Sequence, residues 1–87
     1  MKLRCDYIIK SIEGKNVLIP IGSDVISMSK LITVNNSALV ILEYLKEEIS
    51  FSDLLNKLIE KFDDVEVDTL KEDVTEFLNI LKENSLL

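Results

Sequence analysis

Isoleucine and valine dominate the first third of the chain, and turn-forming residues cut them into short runs. Tyr7-Ile8-Ile9-Lys10-Ser11-Ile12 has the composition of a first β-strand. Glu13-Gly14-Lys15-Asn16 reads as a hairpin turn, because Gly14 takes a positive φ without steric cost. Asn16 to Ile21 reads as the second strand. Pro20 within it donates no ladder hydrogen bond, which predicts that this end lies at an edge or a bulge. Gly22-Ser23-Asp24 marks another turn, and Val25 to Met28 is an ambiguous stretch read as extended. Leu31-Ile32-Thr33-Val34 predicts a third strand.

At Asn35 the period changes from two to 3.6. Ala38, Ile41, Leu42 and Leu45 fall at i, i+3, i+4 and i+7, one stripe of a first helix, with Asn35 or Asn36 as its cap. Ser50-Phe51-Ser52-Asp53 resembles a capping box and opens a second helix, whose apolar face is Leu54, Leu55, Leu58, Ile59 and Phe62. The acidic loop Asp63-Asp64-Val65 leads to a third helix from about Val67 to Asn84. Its buried stripe is Leu70, Val74, Phe77 and Leu81, flanked by Leu78 and Ile80. Three strands followed by three helices, without repeats or a linker, predict one α+β domain over residues 1–87. A three-stranded sheet always has two edges, and each edge offers unpaired N–H and C=O groups.

Composition supports a folded chain. Of its 87 residues 47% are hydrophobic and 30% charged, with two glycines and one proline, which is richer in aliphatic residues than disordered chains are. A core this small buries roughly 60% of the unfolded surface, so modest stability is expected. The formal net charge is −6, and eight acidic residues lie between Glu60 and Glu76 against Lys61 and Lys71. This segment would repel phosphates, so no nucleic acid is expected as a partner. It reads as a solvated face that keeps the protein soluble, the alternative being a patch that attracts a basic partner. No apolar run approaches the ~20 residues that span a bilayer, and Asp6 stands where a signal peptide would be apolar. No membrane partner and a cytoplasmic location are expected.

Catalytic chemistry finds little to work with. The chain has no histidine, the commonest general base and metal ligand. Its one cysteine, Cys5, builds neither a disulfide nor a zinc or iron–sulfur site. Cys5 lies near a terminus expected to fray, with Arg4 beside it but no histidine neighbour to mark it as a nucleophile. Gly14 and Gly22 stand alone in turns and form no phosphate loop, and Asp63-Asp64-Val65-Glu66-Val67-Asp68 lacks the glycine and glutamate spacing of an EF-hand. No enzyme activity, metal or cofactor is expected.

Several segments, taken in order, carry a family resemblance: "VLIPIG" in the hairpin, "LITVN" in the third strand, "SALVILEYL" in the first helix, "SFSDLLNKLIEKFDD" in the capped second helix and "DVTEFLNILKENSLL" at the close. From Tyr7 onward the chain resembles the PqqD-like family, or RiPP recognition elements, which capture the leader segment of a ribosomally made precursor peptide for its modifying enzymes. It departs from the family pattern in two places. Lys46-Glu47-Glu48 stands where glycine usually follows the first helix, and Asn84-Ser85 where glycine precedes the terminal leucines. Asparagine tolerates the left-handed conformation, so the second change is mild; at Glu47 either the turn is costlier or its shape differs.

The resemblance implies a winged helix-turn-helix-like fold in which the leader adds as a strand beside the third strand, against the last helix. Strand addition suits such a role, since main-chain bonds bind any sequence and side-chain pockets select among them. By carry-over, Lys30, Leu31, Ile32, Thr33 and Val34 provide the edge, and Lys71, Val74, Thr75 and Leu78 the flank of the last helix. Ordinary core packing competes with groove lining for the apolar members, above all Val74, and solvation competes with pairing for Lys71. The implied partners are a precursor leader peptide and a separate modifying enzyme, a radical-SAM maturase or a lasso-type protease, approached in trans by a monomer or weak dimer. Two other readings are a winged-helix DNA-binding regulator, opposed by the acidic third helix, and an oligomerising accessory domain that pairs the same edge with a second copy.

Overall fold

The computed structural model describes residues 1–21 and 32–87. The predicted turn at Gly22-Ser23-Asp24, the extended stretch Val25 to Met28, and the edge residues Lys30 and Leu31 lie outside the described residues. Strands β1 (Asp6–Ile12), β2 (Lys15–Ile21) and β3 (Ile32–Val34) precede helices α1 (Asn36–Tyr44), α2 (Phe51–Lys61) and α3 (Val67–Glu83). The sheet is antiparallel in the order β1-β2-β3. The α+β architecture predicted from the pattern is therefore the one observed.

The hairpin turn is shorter than the four residues of the sequence reading. Only Glu13 and Gly14 form it, both with positive φ (52° and 77°), and Lys15 already pairs with Ile12. Two left-handed residues in a two-residue loop match the right-handed twist of the flanking strands. In such a hairpin Ile12 and Lys15 exchange both backbone hydrogen bonds, and bonded and non-bonded pairs alternate from there. Pro20, opposite Tyr7, then falls at a non-bonded position, where its lack of an N–H costs β1 nothing. The described pairs of β2 with β3 run from Asn16–Val34 to Leu18–Ile32.

The helices start where the caps predict. Asn35 is the N-cap of α1, its Oδ1 accepting from the Ala38 N–H at 2.9 Å, and Ser50 Oγ accepts from the Asp53 N–H at 3.1 Å to open α2. The core lies between one sheet face and the three helices. Leu18, Ile32 and Val34 come from the sheet, Leu42 and Leu45 from the end of α1, Leu54 and Leu58 from α2, and Leu70, Val74 and Leu81 from α3. The outer sheet face keeps Ile8 and Ile21 about half exposed.

Both departures from the family pattern resolve in the backbone. After α1, the cap residue Leu45 stays right-handed with φ −77°, and Lys46 N–H turns back to Glu43 O at 3.3 Å. Among the described non-glycine residues only Glu13 and Ser85 have positive φ, so Glu47 bears no left-handed strain and the turn differs in shape. After α3, Ser85 rather than Asn84 is left-handed, with φ 60° against −98°. Ser85 N–H donates to Lys82 O at 3.1 Å and Leu86 N–H to Leu81 O at 2.9 Å. These two bonds make a Schellman motif, and its following residue, Leu86, is buried in the core.

The expected fraying of the N-terminus is corrected. Leu3 N–H donates to Leu45 O, Arg4 N–H to Leu86 O and Ile49 N–H to Met1 O, all at 2.9 to 3.0 Å. The α1 cap and the segment after α3 carry carbonyls that no helical turn can use, and the N-terminal arm satisfies them.

Candidate peptide-binding groove

β3 is an edge strand among the described residues, with β2 on one side only. Its register sets Asn16 opposite Val34, Val17 opposite Thr33 and Leu18 opposite Ile32. On β2 the bonded positions toward β1 are Lys15, Val17, Ile19 and Ile21, so Asn16 and Leu18 face β3. The N–H and C=O of Ile32 and Val34 are therefore spent on β2, while those of Thr33 point out of the sheet. The side chains alternate to match: Ile32 and Val34 are buried and Thr33 is exposed.

Beside this edge runs a groove of about 510 Å³. Thr33 and Val34 form one wall, Ala38 and Ile41 of α1 the floor, and Asp73, Glu76, Phe77 and Ile80 of α3 the opposite wall. Residues at i, i+3, i+4 and i+7 share one helix stripe, which is why these four α3 positions face the groove together. Gly14 of the hairpin turn, with Lys15 and Asn16 at the start of β2, closes one part of it. The groove thus has an apolar floor, a main-chain edge that no described residue pairs along one side and a carboxylate-bearing rim along the other.

The residues expected on α3, Lys71, Val74, Thr75 and Leu78, are not among those that line this groove. Val74 and Leu78 are buried in the core, where they hold α3 in place, and neither lines the groove. Lys71 and Thr75 are exposed, and Thr75 Oγ1 donates to Lys71 O at 2.8 Å, so its proton is used within its own helix. At ~100° per residue, Lys71 and Thr75 project from one flank of the buried stripe, and Asp73, Glu76 and Ile80 from the other. The second flank is the one that meets β3. Sequence reasoning missed Asp73 and Glu76 as wall residues; their i, i+3 spacing beside Phe77 and Ile80 was the available signal.

Among the described residues no catalytic constellation emerges. The groups with displaced proton affinity are Cys5 in the N-terminal arm, Tyr7 in β1 and Lys46 just after α1, and none lines the groove. Burial pushes the Cys5 thiol up, the neighbouring Asp6 charge adds to this, and a backbone hydrogen bond with Ile21 opposes both. That is the reverse of an activated thiolate. Burial likewise raises Tyr7, followed by the charge of Glu43, and Lys46 is raised mainly by its hydrogen bond to Glu43 (3.1 Å). Among the described residues, no cluster of His, Cys, Asp or Glu could hold a metal ion, and no helix is long and apolar enough to cross a membrane.

Neither the curated proteins nor the solved structures contain a match to this chain. The family model for coenzyme PQQ synthesis protein D (PqqD) matches residues 8–87, nearly the whole chain. The chain belongs to the PqqD family, whose members are non-catalytic peptide-binding chaperones in the biosynthesis of PQQ and other ribosomally made, modified peptides.

Proposed function

We propose that this protein captures the leader segment of a ribosomally synthesised precursor peptide by strand addition to β3 and presents it, in the cytoplasm, to a separate modifying enzyme. A radical-SAM maturase or a lasso-type protease is the kind of enzyme served. The observation that carries the reading is the open edge at Thr33, lying along an apolar-floored groove whose far wall is α3. An extended peptide laid there pairs its backbone with the outward N–H and C=O of Thr33. Every second side chain then points toward Ala38, Ile41, Phe77 and Ile80. Ile32 and Val34 shape the edge from beneath, and Val74 and Leu78 fix the helix that bounds it.

A DNA-binding role is disfavoured by charge, since α3 carries five carboxylates against two lysines. Pairing of the same edge between two copies would give a weak dimer that peptide dissociates.

The test is titration of the protein with the leader peptides encoded beside its gene, followed by backbone NMR. Saturable binding, with the largest shifts at Ile32–Val34 and at Asp73–Ile80, is the expected result. If no neighbouring leader binds at high micromolar concentration, the reading fails.

A further inference from the structure

Resting on the strand-addition reading, we infer that the peptide accepted by this groove is basic where it faces α3: an Arg or Lys next to an apolar anchor, held by Asp73 and Glu76. The anchor packs over Ile80 and the largely buried Phe77, Ala38 and Ile41, and the cation reaches the rim.

The charge at the site has one sign on the wall that matters. Asp73 and Glu76 stand one helical turn apart on the groove side of α3, both exposed. Among the described residues the ion pairs are Met1 with Glu48 and Glu43 with Lys46, so neither rim carboxylate is neutralised by a described cation. Lys15 lines the groove from the hairpin side and forms no ion pair with either. The rest of α3 reinforces the field, with Asp68, Glu72 and Glu83 against Lys71 and Lys82. A peptide strand on β3 must lie along this wall over its whole paired length. An acidic side chain directed at the wall meets repulsion from two carboxylates at once, whereas a cation gains from both. Such complementarity acts chiefly on selectivity and association rate, because the rim is solvated and screened by salt. An uncharged peptide of the same apolar pattern would still bind, but more weakly. The main-chain pairing supplies the affinity common to all sequences, and the rim decides between them.

The experiment is selection of a displayed random 12-residue peptide library against three proteins: the wild type, the Asp73→Asn/Glu76→Gln variant and the Asp73→Lys/Glu76→Lys variant. Both substituted positions are exposed, and urea unfolding confirms that each variant folds. Wild-type winners are expected to carry Arg or Lys at a fixed offset from an apolar residue. The neutral variant should lose that preference while keeping the apolar one, and the lysine variant should select Asp or Glu at the same offset. With one winning peptide labelled for fluorescence anisotropy, the neutral variant should bind about three- to ten-fold more weakly. The difference should shrink as salt rises. Winners without a basic position, or a basic preference that survives both variants, overturn the inference and leave strand addition standing. If the selected peptides leave the Thr33 amide unshifted by NMR, strand addition and this inference fall together.

Discussion

Thr33 stands opposite Val17 at a non-hydrogen-bonded position of the β2–β3 pair, so its backbone N–H and C=O face away from the sheet. Its neighbours Ile32 and Val34 face the other way. One residue of a three-residue strand therefore carries the outward hydrogen-bonding capacity of the described edge.

Proline substitution separates the two orientations. Thr33→Pro removes an N–H that no described strand uses, and it should leave a folded protein whose leader affinity falls about fivefold or more, the equivalent of ~1–3 kcal/mol for a lost and unsatisfied bond. Ile32→Pro removes a bond to Leu18 and a buried side chain, so its effect should appear first as lost stability. Calorimetric titration and urea unfolding, run on both variants, check the pair. Unchanged affinity in a folded Thr33→Pro variant would contradict strand addition.

The C-terminal cap of α3 is built on an unfavourable residue. Ser85 holds φ at 60°, a conformation that costs a side-chain-bearing residue about 1 kcal/mol and glycine almost nothing. Ser85→Gly should raise the urea midpoint by an amount corresponding to ~0.5–1 kcal/mol, with the slope unchanged. Ser85→Val should lower it by more, because a β-branched side chain crowds the left-handed region. A glycine variant no more stable than the wild type would show that the strain is relieved elsewhere.

Leu78 and Lys71 test whether an α3 residue serves the core or the surface. Leu78 is 3% exposed, and Leu78→Ala should cost about 2–5 kcal/mol, enough in a domain of this size to leave a substantial unfolded fraction at 37 °C. Lys71→Ala should change stability by no more than ~0.5 kcal/mol. Because Lys71 projects from the flank of α3 away from β3, leader affinity should also hold. A large loss of affinity in Lys71→Ala would place the peptide on that flank.

Alkaline pH should destabilise the protein. Cys5, Tyr7 and Lys46 all have proton affinities raised by the fold. The folded state therefore holds protons that the unfolded chain releases, and stability falls as pH rises through the ordinary range of each group. Lys46 is exposed, so the partly buried thiol should dominate the first part of the fall. Urea midpoints between about pH 7 and pH 10 should decline, and Cys5→Ser should flatten the lower part of the curve. Alkylation of Cys5 in the native protein should be slower than in denaturant at the same pH.

Much of this molecule is legible along the chain because its local signals agree. The period-two runs, the glycine in the hairpin, and Asn35 and Ser50 at helix starts act over a few residues, where main-chain geometry and capping decide the outcome. The absence of histidine and the single cysteine likewise removed most catalytic chemistry before any fold was known. What the tertiary structure alone decided concerns relations between distant segments. The N-terminal arm is ordered because helix-end carbonyls 40 and more residues away accept its N–H groups. The outward direction of Thr33 depends on a bonding alternation counted from the turn at Glu13 and Gly14. Above all, an amphipathic helix has two flanks beside its buried stripe, and its own sequence does not say which flank meets the sheet edge. Lys71 and Thr75 were the sequence's candidates. Packing of α3 over α1 turned Asp73, Glu76 and Ile80 toward β3 instead, because burying Val74, Leu78 and Leu81 leaves only that rotation of the helix available.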